Sequence, residues 1–348
     1  MDTRDTPEQA ELRRSARQLA RELGPATVAD LDDAPRRERL AAAVRDAGWL
    51  ELRDDAGDGT PLASGVEAAI VADALGGAAA DVAFAGRVLA ADLARRAGVS
   101  DRAGAVVAFS AAIVDAAIEP GAETARAMYA VDVDEALDSA YVLAPDGAEY
   151  RLARVRSRGA PGASGGSDLT RAIRVFPPGS VVHPAETGGL LTGDDLAAWS
   201  ALGLAITSAD LVGVMRGVLD VTAAYATERR QYGVPVGSFQ AVQHLLAEAR
   251  CLMEGSLSVA LHAAWAVDNL SPLEARSAGR VAKAYSARAA RTVCETAVQV
   301  HGGIGNAWEC VAHVYLRRAL LSSRWFGDDS FQLRELSRER LEVADGLS

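Results

Sequence analysis

Lysine is almost absent from this chain. Lys283 is the single lysine among 36 basic residues, and alanine is very abundant. This bias is typical of GC-rich coding, so the number of arginines alone is not evidence for function. The basic residues are scattered along helical segments, and the net charge over 348 residues is -11. An acidic chain without a basic cluster argues against a nucleic acid partner.

Cysteine is scarce and odd in number. Cys251, Cys294 and Cys310 lie in apolar helical segments and form no Cys-x-x-Cys pair. This pattern predicts a reducing compartment and buried core thiols. His301 and His313 have no carboxylate or cysteine cluster beside them, so we expect no metal site and predict structural or interface roles for both.

A secretory apolar stretch is also missing, because the first thirty residues carry charges throughout. We expect no later run to be long and charge-free enough to cross a bilayer. These absences predict a soluble, cytoplasmic protein that has no membrane contact.

The chain length suggests two or three domains. Residues 1–103 form a predicted helical domain, in which Thr6 is an N-cap and Pro7 takes the first helical position. Further helices are predicted over 36–48, 64–76 and 84–97.

Residues 104–185 change to short β-prone runs between loops rich in glycine, proline and aspartate. Strands are predicted at 105–109, 141–143 and 171–176, and the stretch 158–167 is expected to be too flexible for the core. This is a reduced β-domain.

Residues 186–348 return to long helices dense in alanine and leucine, predicted over 192–229, 239–269, 272–301, 308–325 and 328–343. Such a series predicts an antiparallel four-helix bundle. The fold class is therefore mainly α with a small β-domain.

Two segments of the bundle carry groups suited to a phosphate-containing ligand. The first runs Arg229–Gln240 with the sequence RRQYGVPVGSFQ, and the second runs Gln299–Glu309 with the sequence QVHGGIGNAWE. A guanidinium presents paired donors that match phosphate oxygens. Glycines let a backbone N–H approach a phosphate or ribose closely. The alternatives are a solvated arginine at a helix end and an ordinary glycine C-cap.

Together these segments resemble the C-terminal half of the acyl-CoA dehydrogenases, in which they grip FAD bound by a neighbouring subunit. The resemblance implies that Arg229 binds the FAD pyrophosphate, that Tyr232 lies beside the adenine and that Gln240 reaches the adenosine half. It further implies that Gln299, Gly302 and Gly303 contact the FAD of the partner subunit. The predicted order of domains is similar to that family as well.

Acyl-CoA dehydrogenation needs a base for the α-proton, and a desolvated carboxylate serves as one. The two positions at which the family carries its glutamate correspond to Phe326 and Gly203, so the resemblance implies no catalytic residue in this chain. The nearest carboxylates have other expected roles: Asp328 and Asp329 cap the last helix, and Glu309 matches a structural glutamate.

The β-domain departs from the family pattern too. Ile118-Glu119-Pro120-Gly121 stands in place of a Thr-Glu-Pro stretch, and Gly166-Ser167-Asp168 lies far from it in a loop. In the family these elements cradle the flavin ring of the same subunit, so only the cross-subunit contacts remain. Trp308 and Trp325 are predicted to be packing residues.

The chain thus resembles the shorter subunit of heteromeric acyl-CoA dehydrogenases of actinobacterial steroid catabolism. That resemblance implies an α2β2 assembly with a longer homologous subunit and an acyl-CoA or acyl-carrier thioester as substrate. Two alternatives remain open. One is a homo-oligomeric relative recruited in a biosynthetic pathway to a different reaction, including a non-redox one, and the other is a plain helical interaction protein.

Overall fold

The computed structural model describes residues 4–99, 106–110, 113–133, 137, 139–156, 162–164, 166–184 and 188–345. The predicted fold class, mainly α with a small β-domain, is confirmed. Within the described ranges the helices are α1 Pro7–Leu23, α2 Ala34–Asp46, α3 Gly65–Gly77, α4 Ala85–Arg96, α5 Gly193–Glu228, α6 Gln240–Asn269, α7 Pro272–His301, α8 Ala312–Arg324 and α9 Asp329–Asp345.

The described strands are β1 Ala108–Phe109, β2 Thr124–Ala125, β3 Met128–Val131, β4 Ser139–Asp146, β5 Glu149–Arg156, β6 Gly162–Ser164, β7 Ile173–Phe176, β8 Ser180–Pro184, β9 Leu190–Leu191, β10 Arg230–Gln231 and β11 Val234–Pro235. One antiparallel sheet has the order β1-β3-β7-β6, and a second has the order β2-β8-β5-β4 with β9 also paired to β5. Half of the loop predicted at 158–167 lies outside the described residues, as does residue 105 of the first predicted strand.

Helix boundaries follow the capping residues. Thr6 and Gln9 form a capping box at the start of α1, with Pro7 at the first helical position. Thr192 and Asp195 do the same for α5. Each box satisfies backbone N–H groups that the helix itself cannot bond. This is why the predicted starts of these two helices agree closely with the observed ones.

The central helix of the fold is α5, which packs against α3, α6, α7 and α8. By length and composition α5 could cross a membrane, contrary to the expectation that the chain has no such run. However, 94% of its most apolar window is buried inside the protein. The apolar surface of α5 is therefore explained by the bundle core that surrounds it.

The prediction of buried thiols is correct for Cys294 and Cys310 but wrong for Cys251, which is exposed on α6. Apolar neighbours in sequence did not identify the buried face of this helix, since a residue's face depends on its position in the helical repeat.

Candidate functional site

The first motif begins where α5 ends. The backbone N–H of Arg229 donates to the carbonyl of Tyr225 at 2.9 Å and closes the helix. The chain then forms the two-stranded hairpin β10–β11, in which Gln231 pairs with Val234. The two turn residues, Tyr232 and Gly233, have φ of 53° and 82°. Positive φ at both turn positions is typical of a type I′ hairpin turn.

This hairpin leaves the predicted ligand groups open to solvent. Arg229 is exposed, and Tyr232 is 94% exposed. Gln240 is the first residue of α6 and is exposed as well. In the part of the chain that the structure describes, no carboxylate pairs with the guanidinium of Arg229, whose donors are thus available to a ligand.

The second motif lies at the end of α7. Gln299 is exposed on the last helical turn, and the backbone N–H of Gly302 donates to its carbonyl. Gly302 has φ of 65°, a conformation that favours glycine. Gly302 and Gly303 are both exposed, and a Cβ added to either would meet no atom within 4 Å. The C-cap interpretation is therefore correct for Gly302, and the open space also allows a ligand to approach the backbone.

The two motifs lie at the same end of the bundle, where one aromatic contact joins them. The ring of Tyr225, on the last turns of α5, stacks on the ring of His301 with centroids 4.4 Å apart and planes at 24°. The Tyr225 hydroxyl also donates to the carbonyl of His301 at 3.3 Å. His301 is buried, and its Nδ1 lies 2.8 Å from the carbonyl of Ala297. A structural role for His301 is thus confirmed.

Around the second motif, two apolar side chains are exposed: Ile304 and Trp308. Trp308 is 59% exposed and tilts against the ring of His313, with centroids 5.4 Å apart. The prediction that Trp308 is a packing residue is therefore wrong for this chain by itself. Trp325 is fully buried, as predicted.

The two positions to which the resemblance assigns the base, Phe326 and Gly203, are in contact with each other. The ring of Phe326 lies against Gly203, so that a Cβ added at Gly203 would overlap it. Phe326 is 4% exposed and belongs to a cluster with Phe109 and Trp199, each with its ring centroid 5.3 Å from that of Phe326. Aromatic side chains fill this region, and neither position carries a carboxylate.

Of the carboxylates nearest in sequence, Asp328 has a structural contact. Oδ1 of Asp328 accepts the N–H of Phe331 at 2.8 Å at the start of α9, as expected of a capping residue. Glu309 is exposed near the glycine turn. Among the described residues there is no group of three or more His, Cys, Asp or Glu side chains that could hold a metal ion.

The β-domain motif residues are dispersed. Glu119 forms an exposed ion pair with Arg126 at 2.5 Å. Asp168 is buried, and its Oδ1 accepts the N–H and the hydroxyl of Thr170. These two acids make separate local contacts.

Sequence reasoning missed a buried ionic network between the β-domain and the bundle. Asp210 on α5 binds Arg171 and Arg318, each at 2.8 Å, and accepts the hydroxyl of Ser322 at 2.7 Å. Burial by itself raises the pKa of Asp210, but the two arginines lower that pKa below its usual range. A carboxylate whose pKa is lowered in this way is a poor general base. The only signal in the sequence was the presence of charges within apolar helices.

Comparisons with known proteins agree with this architecture. Residues 202–341 match the family described as "Acyl-CoA dehydrogenase, C-terminal domain". Acyl-CoA dehydrogenase FadE34 of Mycobacterium tuberculosis is 38% identical over 144 residues, which are 41% of this chain but only 19% of FadE34. The matched segment is thus a small part of FadE34.

Solved structures extend the likeness to the whole chain. A chain of the ChsE4-ChsE5 complex from Mycobacterium tuberculosis is 25% identical, with a TM-score of 0.78 and coverage of 98% of this chain and 99% of that one. A chain of the Tcur3481-Tcur3483 steroid ACAD, at 21% identity, has the same fold, with a TM-score of 0.78 and coverage of 97% and 99%. The chain is thus similar in sequence to the acyl-CoA dehydrogenases over residues 202–341, and it shares the fold of the steroid ACAD chain over almost its whole length.

Proposed function

We propose that this chain is the non-catalytic subunit of a heteromeric, FAD-dependent acyl-CoA dehydrogenase and that it completes the FAD site of a partner chain. The observation that carries the proposal is the contact between Phe326 and Gly203. Both positions to which the resemblance assigns the base lack an acid, and the ring of Phe326 packs directly on Gly203. This contact supports the inference that the base belongs to a partner chain.

The residues of the two motifs fit the adenosine diphosphate half of FAD. The guanidinium of Arg229 is exposed and can bind two phosphate oxygens at once. Neutral hydrogen-bond donors lie in the same two motifs as this cation. They are the side-chain amides of Gln240 and Gln299 and the open backbone at Gly302 and Gly303. The ring of Tyr232, whose edge faces Phe239 with centroids 6.4 Å apart, offers a surface for the adenine.

FAD, when bound, supplies the acceptor for the β-hydride of the acyl thioester. The residues of this chain bind and orient its phosphate end, and the partner supplies the base. We infer that the partner is a longer homologous acyl-CoA dehydrogenase chain in an α2β2 assembly. The similarity to chains of the ChsE4-ChsE5 complex and of the Tcur3481-Tcur3483 steroid ACAD supports this partner and favours a steroid or lipid acyl-CoA as substrate.

The surface beside the motifs also supports a partner. Five apolar side chains are exposed here: Tyr232, Val234, Phe239, Ile304 and Trp308. A partner chain that covers them would remove apolar surface from water while it closes the FAD site. The free cysteines favour assembly in a reducing compartment.

The experiment is to purify the chain alone and co-expressed with longer acyl-CoA dehydrogenase chains of the same genome. Flavin absorbance and its bleaching by acyl-CoA are then measured. Because loss of a general base costs about 10²- to 10⁴-fold in rate, the chain alone should show little turnover and the complex should reduce its flavin. Tight FAD binding and full turnover by a homo-oligomer of this chain would contradict the proposal and support the homo-oligomeric enzyme.

A further inference from the structure

Tyr225 makes hydrogen bonds at the ends of both motif helices, α5 and α7. Its backbone carbonyl accepts the N–H of Arg229 at 2.9 Å, and its hydroxyl donates to the carbonyl of His301 at 3.3 Å. Gly302 follows His301 directly. The Tyr225 residue therefore lies between the first ligand group of one motif and the glycine turn of the other.

We propose that Tyr225 and His301 are positioning residues, which set the spacing between the two halves of the FAD-binding surface without touching the cofactor. This inference rests on the proposed function and assigns a role to residues outside the six predicted contacts. It concerns the geometry of the empty surface, which exists in the chain before any partner binds.

The pair is suited to this role because His301 is held by its own helix and the ring of Tyr225 packs on it. His301 is 6% exposed, and the Ala297 carbonyl accepts from Nδ1, which fixes the ring and places a proton on that nitrogen. The Tyr225 ring stacks on it at 4.4 Å. Both residues lie on the last turns of their helices, where backbone order is otherwise lowest because the final carbonyls lack helical partners.

A binding surface made of two separate helix ends must be ordered when the ligand binds, unless it is ordered beforehand. Arg229 and Gln240 belong to one end, and Gln299 and Gly302 belong to the other. With the stack of Tyr225 on His301 intact, the two helix ends already have the relative positions that the ligand needs. Without it, part of the binding free energy is used to order them, and FAD affinity falls while folding of the rest of the bundle is maintained.

The test uses Tyr225→Phe, which keeps the ring and removes the hydroxyl, and Tyr225→Leu, which removes the stack. The matched control is Tyr315→Phe, because the Tyr315 hydroxyl also joins two helices by donating to a backbone carbonyl, that of Gly77 at 3.0 Å. That bond joins α8 to α3 and touches neither motif. Arg229→Ala reports on the proposed function itself.

Two quantities are measured: the dissociation constant of FAD from the assembled complex, and amide hydrogen exchange of segments 225–233 and 299–309 in the isolated chain. Loss of a stacked pair predicts FAD binding weaker by about 3- to 10-fold for Tyr225→Leu. Tyr225→Phe should give a smaller loss in the same direction. Exchange should accelerate in both segments together, whereas Tyr315→Phe should change neither quantity.

The inference is overturned if Tyr225→Leu leaves the exchange of both segments unchanged, or if Tyr315→Phe weakens FAD binding as much as the Tyr225 variants do. If Arg229→Ala weakens FAD binding and Tyr225→Leu does not, the positioning role is wrong and the proposed function stands. If neither variant affects FAD while both exchange segments loosen, the two helix ends are coupled but the FAD assignment is wrong.

Discussion

The ring of Phe326 lies directly over Gly203, and no side chain larger than hydrogen fits between them. Phe326 follows the end of α8 with φ of 64°, and its N–H donates to the carbonyl of Ile113 at 2.8 Å. A left-handed conformation is unfavourable for phenylalanine, so the surrounding contacts must hold it. The packed rings occupy the two positions to which the resemblance assigns the catalytic glutamate.

Gly203→Ala should destabilise the protein by about 1 to 3 kcal/mol, because the added methyl overlaps a ring that cannot move into solvent. The control is Gly193→Ala on the same helix, since a Cβ there meets no atom within 4 Å. The control should be neutral or slightly stabilising. Chemical denaturation of both variants measures the difference. Equal stabilities would mean that Phe326 does not fill this space in solution.

Asp328→Ala should lower the free energy of unfolding by about 1 kcal/mol, because it removes the side chain that caps α9. It should leave the turnover of the assembled complex unchanged. Asp329→Ala, at the next position, is the control and should have a smaller effect on stability. A fall in turnover of about 100-fold or more for Asp328→Ala, typical of a lost general base, would contradict the assignment of the base to the partner.

Lys283 gives a prediction about pH. Its ammonium is fully buried and donates to the carbonyl of Ser322 near the end of α8. Burial lowers the pKa of Lys283 from 10.5 to about 7, while Asp210 and Asp328 oppose that shift and Arg171 adds to it. Between pH 7 and pH 10.5, Lys283 is protonated in the unfolded chain and mostly neutral in the folded chain. This residue therefore makes the free energy of unfolding rise with pH.

The cost of burying charged Lys283 is therefore fully present below pH 7 and is relieved as the pH rises toward 10.5. Lys283→Met removes the titrating group and should raise stability relative to the natural chain most at pH 6 to 7. That advantage should shrink at higher pH, with a slope of at most about 1.4 kcal/mol per pH unit. Parallel stability profiles of the two proteins between pH 6 and 9 would show that Lys283 does not titrate in this range.

The helices could be predicted from sequence because their starts carry local signals. Helix α7 begins at Pro272, as predicted. Ser271 and Glu274 form its capping box, and Pro272 takes the first helical position. The start of α8 was predicted too early, at 308 instead of Ala312. Residues Gly302–Asn306 form a 3₁₀ turn after α7, and a further turn precedes α8. Periodicity does not distinguish such turns from a helix start.

The buried network could not be predicted, because its members are distant in sequence. Arg171 and Asp210 lie on different domains of the predicted architecture, and Arg318 lies more than 100 residues after Asp210. Pairing of this kind depends on tertiary packing, which no local pattern encodes. The contact between Phe326 and Gly203 is similar: the sequence indicated that each lacks a carboxylate, and only the fold brings them together.

The most direct test of the central claim is the affinity of the assembled complex for FAD when Arg229 is changed and the partner is not. Arg229→Ala removes a cation that we assign to the pyrophosphate, and loss of a charged hydrogen bond predicts binding weaker by about 10- to 100-fold. Arg230→Ala is the control, since Arg230 is also exposed and its guanidinium donates to the local carbonyl of Gly233. Weaker FAD binding for Arg229→Ala alone is the predicted result, and equal affinities for both variants and the natural complex would contradict the account.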